Sequence, residues 1–157
     1  MNEITPDLSK VSRLPLPAGD PDADDNLDAA HLEARQYLMS FGWGKNIKAE
    51  FFGYGAEGIV YIFLFEIASG KPDVPQWVWV IVGDVPPAYM PGDEVGTPFE
   101  ALDGYIGAME DWVEAARQGK SVADLIPVNV PATPANAEML GSRLKFLDER
   151  VLPLLEE

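Results

Sequence analysis

Ile59-Val60-Tyr61-Ile62-Phe63-Leu64-Phe65-Glu66-Ile67-Ala68 is the stretch that decides the fold. Successive side chains of a strand point to opposite faces. Here both faces are apolar: Ile59, Tyr61, Phe63, Phe65 and Ile67 on one, Val60, Ile62, Leu64 and Ala68 on the other, with Glu66 as the interruption. Such a strand belongs at the centre of a sheet covered on both sides, because at an edge it would template aggregation. Gln76–Gly83 has the same double character, through Trp77, Trp79 and Ile81 against Val78, Val80 and Val82. Ile47–Tyr54 precedes them, with Ile47, Ala49 and Phe51 expected on one face. The connections are short: Gly55-Ala56-Glu57-Gly58, then Ser69–Pro75. Short links between strands predict an antiparallel three-stranded meander.

Helices flank this sheet. Leu27, Ala30, Ala34, Tyr37, Leu38 and Phe41 recur at helical spacing, predicting a helix over about 27–41, capped by Asp25 or Asn26 and ended by Gly42 and Gly44. Thr97-Pro98-Phe99-Glu100 is a capping box with Pro at the first helical position. The helix it starts runs to about Gln118, with Phe99, Leu102, Ile106, Met109, Val113 and Ala116 as its seam and Gly119 as its stop. Gly104 and Gly107 within it either permit close packing or are simply tolerated. Ser121–Leu125 suits one helical turn. A second Thr-Pro start, Thr133-Pro134, opens the last helix, whose seam is Ala137, Leu140, Leu144, Leu147 and Val151 and whose stop is Pro153. The order is α-β-β-β-α-α, an α+β domain over residues 26–157 with helices packed on the meander. The extended run Ile126-Pro127-Val128-Asn129-Val130 is available to fill a sheet edge. Residues 1–25 form an acidic, proline-rich arm, expected to be disordered unless Val11, Leu14 and Leu16 pack it on the body.

Charge excludes more than it identifies. The 157 residues carry 26 acidic and 11 basic side chains, a formal net charge of −15. The acidity is spread along the chain, −5 over 1–36, −4 over 37–96 and −6 over 97–157. Such a surface repels nucleic-acid phosphates and anionic lipid headgroups. It serves solubility by default, and attracts a basic protein partner in the sharper reading. There is no cysteine, hence no thiolate nucleophile and no zinc ribbon. The N-terminus lacks a secretion signal, and the longest apolar run, Ile59 to Phe65, is far short of the roughly 20 residues of a membrane helix. A cytoplasmic bacterial protein is the simplest expectation.

Chemistry-bearing patterns are few. His31, the one histidine, has no positioned Ser or Cys partner and reads as a half-exposed helix residue. Asp20-Pro21-Asp22-Ala23-Asp24-Asp25 matches positions 1, 3 and 5 of a calcium loop, but position 6 is Asp25 instead of Gly and position 12 is His31 instead of Glu. An acidic loop leading into a helix is the better reading, and no metal or cofactor is expected. Glu110, Asp111 and Glu114 with Arg117 read as a solvated helix face. Glu66, an acid in an apolar strand, is expected to reach solvent or pair with a base such as Lys71. Asp84, closing its strand near Glu57, suggests a small acidic rim at one end of the sheet. Phe41-Gly42-Trp43-Gly44-Lys45 lacks the spacing of a phosphate loop.

Two candidate surfaces follow. The first is the proline-rich loop 83–94, where Asp84, Tyr89, Met90, Asp93 and Glu94 suit a protein-contact surface. The second is an aromatic pocket between sheet and long helix, lined by Trp43, Trp77, Trp79, Tyr105 and Trp112 with Glu66 as its polar group. No catalytic residue is assigned. Trp79-Val80-Ile81-Val82-Gly83-Asp84-Val85-Pro86-Pro87-Ala88-Tyr89, with Thr97-Pro98 and Ile126-Pro127-Val128-Asn129, resembles a family of small bacterial single-domain proteins of unknown function, over most of the chain after residue 26. The resemblance implies no activity. The expectation is a non-enzymatic binding protein, such as an acidic immunity- or antitoxin-like protein neutralising a basic partner. The alternatives are a small-molecule-binding or enzymatic domain using the aromatic pocket, and a homodimer in which incompletely covered sheet or helix surface meets its mate.

Overall fold

A computed structural model of the chain describes residues 5–68 and 74–155. It is an α+β structure with strands β1 (Ser12–Arg13), β2 (Ile47–Ala56), β3 (Val60–Ile67), β4 (Trp77–Gly83) and β5 (Ala88–Pro91). Its helices are α1 (Asp25–Met39), α2 (Pro98–Arg117), α3 (Pro134–Phe146) and α4 (Leu152–Leu155). The chain divides into two compact units, Met1–Ala101 and Leu102–Glu157, and α2 crosses the boundary.

The five strands pair in sequence order into one antiparallel sheet. β3 is central and buried at every position except the half-buried Glu66. The expected three-stranded meander is therefore the middle of a wider sheet. Its edges are not filled by residues 126–130, which form no strand. One edge comes from the N-terminal arm: Ser12 faces Phe52, Arg13 faces Phe51, and Leu14 N donates to Glu50 O at 2.9 Å. Leu14 and Leu16, two of the three arm residues expected to pack on the body, lie against the core. The other edge comes from the proline-rich loop, where Ala88–Pro91 runs back along Ile81–Val78. An apolar strand such as β4 cannot be left unpaired, and the nearest returning chain closes it. Pro91 fits there because it ends an edge strand.

The β2–β3 register contains two irregularities, between Ile47 and Ala49 and between Phe52 and Tyr54. An extra residue in one strand flips the faces beyond it. Ile47 therefore joins Phe52 on the α1 side, away from Ala49 and Phe51, where strict alternation had grouped it. On that side Leu27, Ala30, Ala34 and Leu38 of α1 pack on Tyr61, Phe63, Phe65 and Ile67 of β3 and Val78, Val80 and Val82 of β4. On the opposite face Ile62, Leu64, Trp79 and Ile81 are fully buried as well.

Helix starts and stops follow the caps. Asp24, not Asp25 or Asn26, caps α1 by accepting from Leu27 N at 2.8 Å. Thr97 Oγ1 accepts from Glu100 N at 3.1 Å, while the Glu100 carboxylate reaches back to Gly96 N at 2.7 Å. Gly119, at φ +71°, closes α2 with Lys120 N donating to Ala115 O and Gly119 N to Ala116 O. The last helix departs from expectation: Pro153 does not stop it. The chain passes from α3 through a π turn over Leu147–Val151, where Leu152 N donates to Leu147 O, into α4. A proline ring clashes with the carbonyl four residues back, and the wider turn accommodates it. Within the second unit α3 approaches α2 at Gly141, where an added Cβ would lie 3.5 Å from Val113 Cγ1.

Candidate functional site

The hairpin end of the sheet gathers acids from three segments. The Asp24 that caps α1 lies on the approach from the arm. Gly58, at φ +74°, turns β2 into β3 and presents Glu57. Asp84 follows β4, and its N–H donates to Ile59 O of that hairpin at 3.0 Å. Asn26 Nδ2 donates to Glu57 Oε1 at 2.5 Å, tying the start of α1 to the turn. Two tyrosines report the resulting field. The Tyr61 hydroxyl is held above its ordinary pKa first by burial and then by the carboxylates of Asp24, Glu57 and Asp22. Tyr54 is raised by burial and then by Asp22. No Lys or Arg occurs between residues 14 and 34, so this approach carries acids alone.

The loop residues expected to act together are divided by the strand they form. Asp84 sits at the hairpin end. Asp93 and Glu94 follow Gly92, whose N–H donates to Trp77 O at 2.6 Å, and so lie at the other end of β4. Tyr89 and Met90 are half-buried and alternate across the sheet. Tyr89 joins the α1-side core, edge-on to Phe41 and Trp43 at centroid distances of 5.2 and 5.1 Å. Met90 is in register with Trp79. The loop is pinned rather than free: Trp79 Nε1 donates to Val95 O at 2.9 Å, and Asp7 N to Gly96 O at 2.8 Å.

Of the residues expected to line an aromatic pocket, Trp79 and Tyr105 are wholly buried and Trp112 is 1% exposed. Trp43 and Trp77 are half-buried at the margins of the first unit. Glu66 is paired, 3.6 Å from Lys48 Nζ and accepting from Gln76 Nε2 at 3.3 Å. Lys71, the partner suggested by sequence, lies outside the described residues, as does most of the Ser69–Pro75 turn.

Sequence reasoning missed Glu50. It sits on β2 facing α1, with Oε1 2.7 Å from His31 Nε2 and Oε2 accepting from Arg35. The His31 ring lies over Phe63 and Phe65. This carboxylate, shared between two partners, anchors α1 to the sheet. The acids of α2 behave as a solvated face: Arg117 reaches Glu114 at 3.6 Å and Glu138 at 3.8 Å. Beside them an open groove of about 540 Å³ carries Glu110 and Asp148 on one hand and Lys145 on the other. Among the described residues, no group of three or more His, Asp or Glu converges as a metal site, which includes the calcium-like loop. Among the same residues no helix is long and apolar enough to cross a membrane.

No family model, curated protein or solved structure matches the chain.

Proposed function

We propose that this chain is a non-enzymatic binding protein whose working surface is the acidic hairpin end of the sheet, fitted to a basic protein partner in the manner of an immunity or antitoxin protein. One observation carries the reading: Asn26 Nδ2 donates to Glu57 Oε1 at 2.5 Å and Asp84 N donates to Ile59 O at 3.0 Å, which brings the start of α1, the β2–β3 turn and the end of β4, with Asp24, Glu57 and Asp84, to one end of the sheet. Separate segments that bring like charge together raise the local negative potential, at a cost that a cationic partner relieves. Tyr54, half-buried and acted on by the Asp22 carboxylate after burial, supplies a ring for a lysine or arginine to cover. The distributed charge of −15 adds long-range attraction.

The test is affinity capture from native lysate at low salt with the wild-type chain and with an Asp22→Asn/Glu57→Gln/Asp84→Asn variant. The expected result is a stoichiometric basic protein on the wild type, released by salt and at least tenfold depleted on the variant. Equal recovery on both, or no such partner at low salt, overturns the proposal.

A further inference from the structure

The terminal helix carries a second apolar surface. Ala137, Leu140, Leu144, Leu147 and Val151 are buried. Met139, Phe146 and Leu154 are 57%, 46% and 67% exposed. At 100° per residue, Met139 and Phe146, seven apart, share the face opposite the buried seam. Leu154 is eight residues beyond Phe146, one too many for the same face of a regular α-helix. The π turn over Leu147–Val151 absorbs the extra residue and returns Leu154 to the line of Met139 and Phe146. The stripe therefore runs from Met139 to Leu154, 16 residues or about 24 Å of helix.

Charge identifies what can cover it. Residues 134–155 hold Glu138, Asp148 and Glu149 against Arg143, Lys145 and Arg150, a net charge of zero. By the same count α1 carries −2 (Asp25, Asp28 and Glu33 against Arg35) and α2 carries −4 (Glu100, Asp103, Glu110, Asp111 and Glu114 against Arg117). Counted over helical residues alone, the terminal helix, 134–155, repels a second copy less than α1 or α2 does; Glu156 and Glu157, which follow it, bring the count over 134–157 to −2. The charge is also ordered along it: +1 over 134–145 and −1 over 146–155. An antiparallel pair sets each positive half against a negative half, whereas a parallel pair sets like against like.

We infer that the Met139–Phe146–Leu154 stripe is a self-association surface, on which two copies of the chain pair their terminal helices antiparallel about a two-fold axis at Phe146. Met139 of one copy then meets Leu154 of the other, and the two Phe146 rings meet at the axis. This stripe shares no residue with the acidic hairpin end, so the inference stands without the proposed function.

Sedimentation of the full chain over a concentration series tests it. The wild type is expected to reach twice the monomer mass. Phe146→Glu and Met139→Glu, which alter exposed positions opposite the buried seam, are expected to remain monomeric with unchanged circular dichroism. Orientation is read by disulfide trapping, for which the absence of cysteine gives a clean background. Phe146→Cys is expected to cross-link with itself. Met139→Cys is not, because its two copies lie about 20 Å apart along the pair, but it is expected to link to Leu154→Cys. A wild type that is monomeric throughout, which would leave the stripe to a different protein, overturns the inference. So does a dimer that survives both glutamate substitutions, or self-linking by Met139→Cys as efficient as that by Phe146→Cys.

Discussion

His31 Nε2 lies 2.7 Å from Glu50 Oε1, and the other oxygen of the same carboxylate takes a hydrogen bond from Arg35. His31 and Arg35 are one helical turn apart on α1, and Glu50 is on β2 opposite Phe65. One side chain thus holds both the imidazole that lies over Phe63 and Phe65 and the guanidinium one turn further along α1. Glu50→Ala removes the acceptor that His31 and Arg35 share. It is expected to cost about 1–2 kcal/mol in urea unfolding, the lower part of the range for charged hydrogen bonds because both ends keep some solvent. Glu50→Gln retains an acceptor and is expected to cost less. Equal stability of Glu50→Ala and wild type would show that the cluster does not anchor α1.

Trp79 ties the central sheet to the proline-rich loop. Its indole is wholly buried, and its N–H donates to Val95 O at 2.9 Å. Trp79→Phe removes the donor, leaves the carbonyl unpaired and opens a gap in the core. A loss of about 2–4 kcal/mol is expected. Because the loop is held at this point, amide exchange at Gly96 is expected to accelerate more than that of the β3 amides. Uniform acceleration throughout the sheet would instead mean that only global stability had changed.

Legibility in the sequence follows from how local each signal is. β3 and β4 could be read because an apolar pattern on both faces has few places in a fold other than a covered sheet centre. The edges could not. β1 is two exposed residues, Ser12 and Arg13, and β5 ends in a proline, so neither carries a strand pattern of its own. Both form because a neighbouring strand needs pairing. The irregularity between Ile47 and Ala49 and the passage of the last helix through Pro153 depend on packing that periodicity does not encode. At the hairpin end, Asp84 and Glu57 were visible as a rim because the meander alone joins them. The arrival of Asp22 and Asp24 required the path of the arm into α1. His31 was visible, but its partner Glu50 is 19 residues away in another element.

Two glycines of similar appearance should respond oppositely to alanine. Gly107 is exposed on α2, and an added Cβ meets nothing within 4 Å. Gly107→Ala is expected to stabilise by about 1 kcal/mol through helix propensity. Gly44 lies against the preceding helix end, where a Cβ would fall 2.3 Å from Leu38 O, a backbone atom. Gly44→Ala must displace main chain and is expected to destabilise by about 1–3 kcal/mol. Thermal melts of the two variants give the signs directly. A stable Gly44→Ala would show that the turn over Gly42–Gly44 is loosely held.

Alkaline pH should expose the aromatic cluster beneath the proline-rich loop. Burial pushes the Tyr37 hydroxyl from 10.0 up to about 12, with a smaller contribution from Tyr89. Between those values the unfolded chain gives up a proton that the folded chain retains, so ionisation favours unfolding. The stability linked to Tyr37 is therefore fully present below pH 10 and is lost as pH rises towards 12. Tyr54 and Tyr61 are raised too and act with the same sign. Tyr37→Phe removes one of the three groups. Its melting temperature is expected to fall less steeply than that of the wild type from pH 10 to 12, with the two curves parallel below pH 9. Parallel curves across the whole range would mean that Tyr37 ionises freely in the folded chain, and that its contacts with Phe41 at the margin of the core open to solvent.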